Sequence, residues 1–132
     1  MEGQKDWAAL LGRMLLVILF FISGFGKIPG YEGTAAYIAS KGLPMPQLLA
    51  AISIVIELGG AIAIALGWKT RWAAAVLALF MIVITPAFHK FWGIPPDEAA
   101  MQQIHFMKNV SILGGFLLLF AFGPGRYSLD QG

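Results

Sequence analysis

Cysteine is absent from the 132 residues, which excludes disulfides, thiolate metal ligands and thiol redox chemistry on the chain's own side chains. Charge is scarce too. Only 12% of residues are Asp, Glu, Lys or Arg, against about 25% in an ordinary soluble domain. The net charge is +2 and the cations are scattered. No dense basic face exists to neutralise phosphates, so nucleic acid is excluded as a partner. The stretch from Met1 to Trp7 has neither a clearly basic segment nor a small-residue cleavage site, which predicts that no signal peptide is removed. Internal repeats and low-complexity segments are missing as well, and the length predicts a single domain, 1–132.

What the sequence has instead is apolar length. Apolar residues make up 58% of the chain before its 16 glycines are counted, and a domain this small buries too little surface to hide them all. Four runs predict membrane spans at about 7–26, 47–67, 72–91 and 103–122, each close to the ~20 residues that cross a bilayer. Met14–Ile22 and Gly114–Phe122 are apolar on every side, whereas a surface helix of a soluble bundle would carry a polar stripe. Trp7, Trp68, Trp72 and Trp92 fall at predicted span ends, where amphipathic rings prefer to lie. The fold class expected is an all-α integral membrane protein, a four-transmembrane-helix bundle. Lys69, Arg71 and Arg126 lie on the side of both termini, which the positive-inside rule assigns to the cytoplasm. Between spans one and two, Tyr31–Ser40 predicts a short interfacial helix stopped by Gly42. Asp97 and Glu98 after Pro95-Pro96 suit the start of a helix running into span four.

Ionisable groups inside such spans are costly and usually face the bundle interior. At ~1.5 Å of rise per residue, Arg13 lies about 9 Å, Glu57 about 15 Å and Lys108 about 21 Å from the cytoplasmic end. Glu57 is therefore expected within reach of Arg13 and Lys108 where the helices face one another. Lys27 is two heptads after Arg13 and shares its face, and snorkelling to the outer headgroups is an equal expectation for it. His105, Lys108 and Asn109 share a face of span four, and His89 ends span three. Lys27, His89, His105, Lys108 and Asn109 thus converge in the outer third, with Glu57 as floor. Three readings stay open for this network: a structural counter-ion pair, a site for a polar ligand, and a proton relay. Three cations against one acid call for an anionic or carbonyl-rich ligand such as a small oxyanion or a quinone headgroup. Two histidines also raise a bis-histidine haem, but neither lies deep in its span. No third ligand suggests a metal. The glycine pairs Gly59-Gly60 and Gly114-Gly115 suggest close helix packing.

Along nearly its whole length the chain resembles the DoxX family of small bacterial membrane proteins. The resemblance rests on Gly12-Arg13, Ser23-Gly24-Phe25-Gly26-Lys27, Gly42-Leu43-Pro44-Met45-Pro46 and Glu57. It continues through Leu66-Gly67, Thr70-Arg71, Phe88-His89, Phe91-Trp92 and Lys108-Asn109-Val110-Ser111, and closes on Gly123 to Asp130. It implies a multi-pass protein of the bacterial inner (plasma) membrane. The family takes its name from a subunit associated with a terminal quinol oxidase and thiosulfate:quinone oxidoreduction, and most members have no assigned reaction. The function expected is a small accessory subunit of a quinone-linked membrane redox complex. The alternative is a stand-alone transporter or binder of a small polar or anionic solute, which at this size would need a homo-oligomer. An independent enzyme ranks third, since no nucleophile–base pair can be assembled and no catalytic residue is named.

Overall fold

The structure, a computed structural model, describes residues 2–130. Its elements are five helices: α1 (Glu2–Lys27), α2 (Tyr31–Ser40), α3 (Pro46–Leu66), α4 (Thr70–Phe88) and α5 (Pro96–Phe122). No strand occurs among the described residues. α1, α3, α4 and α5 are long and apolar enough to cross a membrane, and between 11 and 28% of their most apolar windows is buried inside the protein. The remaining apolar surface, including Leu15, Val55, Leu79 and Leu118, points outward. In water that surface would be intolerable; lipid is the environment that fits it.

Local sequence sets the helix ends. α2 stops at Gly42, which takes φ +76°, and α3 stops at Gly67, which takes φ +69°. At Gly67 the amides of Gly67 and Trp68 donate to Ile64 O and Ala63 O, the pattern that closes a helix on a left-handed glycine. α4 ends at Phe88, short of the expected 91, two residues after Pro86 has removed a helical donor. α5 starts at Pro96 with Asp97 and Glu98 in its first turn, as expected, and runs without a break into the span expected from 103.

The spans pack as two close pairs, α1 on α3 and α4 on α5, joined through α3 and α4, while α2 lies across the start of α3. The core draws Val17 and Phe20 from α1, Ala61 and Ile64 from α3, Leu77 and Met81 from α4, and Phe116 from α5. Phe20 meets Phe116 with ring centroids 5.4 Å apart. Of each glycine pair, one member mediates contact. A Cβ at Gly60 would stand 2.9 Å from Leu77 and one at Gly115 3.0 Å from Leu16, whereas Gly59 and Gly114 face open space.

Four antiparallel spans bring both described ends of the chain to one end of the molecule, and the segment after α5 folds back across it. Leu129 N donates to Leu66 O at 3.1 Å and Asp130 N to Gly67 O at 2.8 Å. The Asp130 carboxylate caps α4 by accepting from Lys69 N at 2.9 Å and Thr70 N at 2.8 Å. Arg13 Nη2 donates to Tyr127 O at 2.5 Å and Nη1 to Ile64 O at 3.3 Å. This strap ties α1, α3 and α4 together at the terminal end.

Candidate functional site

At the opposite end, which we call the far end, the helices part around a cavity of about 260 Å³. Lys27 and Ser23 of α1, Thr34 and Tyr37 of α2, Ser53 and Glu57 of α3, His89 after α4 and Asn109 of α5 give it a polar lining, among Phe20, Phe80, Met81 and Phe88. Glu57 is 3% exposed. Its Oε1 accepts from Lys27 Nζ as an ion pair, and its Oε2 is buried without a partner. Gly24 makes this pairing possible: a Cβ there would meet Leu58 at 2.7 Å and the Glu57 Cβ at 3.5 Å, so α1 and α3 approach closely just where the carboxylate sits. Buried polar atoms are almost always satisfied. An orphaned oxygen on a carboxylate that lines a cavity therefore marks a place for a donor.

The α4–α5 side of the cavity is held by side-chain pairs. Asn109 Nδ2 donates to Thr85 Oγ1 at 3.3 Å. His89 Nδ1 lies 3.0 Å from Gln102 Oε1, and its ring stands 5.1 Å from that of His105. His105 is a neighbour of His89 rather than part of the cavity lining.

Of the seven residues singled out in the sequence, the cavity brings together Lys27, Glu57, His89 and Asn109, with His105 behind. Arg13 and Lys108 are elsewhere. Arg13 bonds Ile64 O at the terminal end, two helical turns or about 10 Å from Glu57 along α3. The partner of Glu57 is Lys27, which reaches inward instead of snorkelling outward. Lys108 is exposed on α5, over a shallow depression with Gln103 and Ser111. Successive helical residues point about 100° apart, so with Asn109 facing inward Lys108 turns away. The expected surplus of three cations over one acid therefore dissolves. One cation faces one carboxylate, and what lacks a partner is a hydrogen-bond acceptor. That removes the electrostatic ground for an anionic ligand.

Several lining residues escaped the sequence analysis. Ser53 precedes Glu57 by one turn of α3 and could have been found by that i, i+4 spacing. Tyr37 and Thr34 belong to the cavity only because α2 folds over α3, which no spacing announces. The strap residues Tyr127 and Asp130 carried no signal beyond their place in the family resemblance.

The sequence profile of the DoxX family matches residues 8–90. The chain belongs to the DoxX family. The matched region spans α1 to α4 and includes Lys27, Glu57 and His89, while Asn109 lies beyond it. Inner membrane protein YphA of Escherichia coli is 43% identical over 92% of this chain and 87% of that protein. Inner membrane protein YqjF of the same organism is 38% identical over 99% of this chain and 95% of that protein. A Surfeit locus protein 4 homolog of Schizosaccharomyces pombe is 27% identical over 98% of this chain but only 39% of its own length. No solved structure matches the chain. With four spans and two such relatives, this DoxX-family chain is a multi-pass inner-membrane protein.

Proposed function

We propose that this DoxX-family chain is a small accessory subunit of a quinone-linked redox system, presenting a headgroup site at the outer end of its span bundle, with both termini cytoplasmic. The orientation rests on Lys69, Arg71 and Arg126 at the terminal end, against Lys41, Lys90 and an already paired Lys27 at the other. The observation that carries the ligand site is Glu57: buried, half paired with Lys27, its second oxygen unsatisfied, in a residue that lines the cavity. At about 260 Å³ the cavity is smaller than the roughly 300–1,000 Å³ of drug-sized sites. It suits one ring rather than an extended molecule. Lys27 and Asn109 supply donors for a ring oxygen, Glu57 Oε2 accepts from a ring hydroxyl, and Phe20, Phe80 and Phe88 bracket the apolar faces. His89 sits where it can exchange a proton between that ring and the outer surface.

The test is extraction in native-lipid particles, with mass spectrometry of what stays bound to the wild type, Lys27→Met and Glu57→Gln. A quinone or quinol retained by the wild type and lost from both variants supports the reading. A homo-oligomer that carries a water-soluble solute and no quinone overturns it in favour of the stand-alone transporter or binder.

A further inference from the structure

The apolar wall of the polar cavity has a second face. Ile38, Ser53, Phe80, Ile84 and Phe88 line the cavity on one side and line a second, larger groove of about 460 Å³ on the other. Apart from Ser53, that groove is built wholly of apolar side chains from α2, α3 and α4 and the α2–α3 link. Ile52, Val76, Leu79 and Val83 on its rim are exposed on span surfaces that face lipid. The groove thus opens sideways into the bilayer, and its inner wall is the outer wall of the polar site. Tyr37 and Phe88 stack at 5.4 Å beside this junction, on helices with no covalent link nearer than the α2–α3 turn and α3 itself.

Resting on the ligand pocket proposed above, we infer that this site is loaded laterally from the membrane by an amphiphile whose hydroxyl-bearing head enters the cavity and whose apolar tail lies in the α2–α3–α4 groove. Three observations restrict the occupant. Lys27 already balances the charge of Glu57, so an anion brings no electrostatic gain and must be desolvated. The unsatisfied group is an acceptor, Glu57 Oε2, so the head must carry a donor; a hydroxyl provides one and a bare carbonyl does not. The groove behind the shared wall offers almost no polar partner, so what lies in it is hydrocarbon, reached where the Ile38, Phe80, Ile84 and Phe88 side chains part. A reduced, hydroxylated quinone satisfies all three conditions, and its oxidised form fails the second.

The strap at the terminal end agrees with this route. It closes that end of the bundle with backbone hydrogen bonds to Leu66 and Gly67 and with the Asp130 cap on α4. What the strap leaves for reaching Glu57 includes the far end and the wall shared with the groove, and a hydrophobic tail is tolerated at the second.

The test uses the full chain in lipid nanodiscs and a decyl hydroquinone carrying a diazirine at the end of its tail, with photolabelled positions read by peptide mass spectrometry. Label is expected on Ile52, Ile56, Val76, Leu79 and Val83, which line the groove and not the cavity. It should be lost on adding untagged decyl hydroquinone, lost in Glu57→Leu, and weaker with the oxidised quinone analogue. Val83→Trp, which fills the groove without touching the cavity, should displace the tail label while a tail-less hydroquinone still competes. Groove label that survives Glu57→Leu, in a variant that keeps the wild-type far-UV circular dichroism and unfolds cooperatively, marks ordinary annular lipid and overturns the inference. Tail label on α1 or α5 with intact competition overturns the groove alone and leaves the pocket standing. No competable label anywhere overturns both.

Discussion

Removing Lys27 alone should damage the protein more than removing Lys27 and Glu57 together. Lys27→Met leaves a carboxylate that is 3% exposed with neither oxygen paired. Breaking a buried ion pair from one side costs about 3–5 kcal/mol, because the remaining charge stays desolvated. The Lys27 side chain is 24% exposed, so some of the pair's field already reaches water or headgroups, and the lower bound of about 3 kcal/mol is the appropriate figure. Glu57→Leu should cost less, about 1 kcal/mol, since a lysine at the end of α1 can swing out to the headgroups. Lys27→Met with Glu57→Leu removes both charges and leaves side chains of similar bulk, so it should fall within about 1 kcal/mol of the wild type. The coupling between the two sites is then on the order of 3 kcal/mol. Far-UV circular dichroism during denaturation of mixed micelles with dodecyl sulfate measures all four corners of this cycle. A double variant as unstable as the sum of its singles would refute the idea that these residues act as a buried pair. A stable double variant that no longer retains ligand would assign the pair to binding rather than to register.

The glycine pair on α3 separates packing from propensity. Gly59→Ala, facing open space, should stabilise by up to about 0.8 kcal/mol through helix propensity, whereas Gly60→Ala forces a Cβ to 2.9 Å from Leu77 and should cost about 1–3 kcal/mol; equal effects in the same micelle titration would contradict the α3–α4 packing. For Asp130, burial pushes the carboxyl up, but hydrogen bonds from Thr70 and Lys69 and the charge of Arg13 outweigh it and hold it below its ordinary 3.8. A depressed carboxylate stabilises above the unfolded-state value and loses that contribution as pH falls through the folded one. Hydrogen exchange of Lys69 and Thr70 should therefore stay flat from pH 8 to 5 apart from intrinsic chemistry and rise only below about pH 4; Asp130→Asn should show fast exchange of these amides throughout, and a step near neutral pH would rule the cap out.

What the sequence disclosed and what it hid divide along physical lines. Span number followed from hydropathy because each run had to cover the bilayer by itself, and the stop at Gly42 followed because left-handed backbone favours glycine. Membership of the polar cluster was harder to read. Depth along a helix is set by rise per residue, but the direction a side chain takes depends on which neighbour its helix meets. By rise alone Lys108 lies about 6 Å and Lys27 about 15 Å from the level of Glu57, yet Lys108 turns outward while Lys27 reaches the carboxylate. Rise per residue alone sets Arg13 only about 6 Å from the level of Glu57. Its actual acceptors are carbonyls, Ile64 O and Tyr127 O, and a backbone carbonyl leaves no trace in the identity of the residue that bears it.

Arg13 and Lys27 together explain why the cavity lies at one end. Both project from the same face of α1, two heptads apart, and both reach α3, one at Ile64 and the other at Glu57. Between them Gly24 lets the two helices close to contact. α1 and α3 thus form one unit fastened twice, and α4 and α5 form a second through Thr85–Asn109 and His89–Gln102. At the terminal end the strap binds the units with four hydrogen bonds that involve the backbone of residues 66–70. At the far end only side chains around the cavity join them. Any separation of the two units therefore hinges at the strap and widens at Lys27, Glu57 and His89. A carrier that alternates between two faces must unfasten both ends in turn, and the strap's backbone hydrogen bonds resist that at one of them. A site that opens and recloses at one end and toward the lipid demands no such release, which favours a binding subunit over a pump.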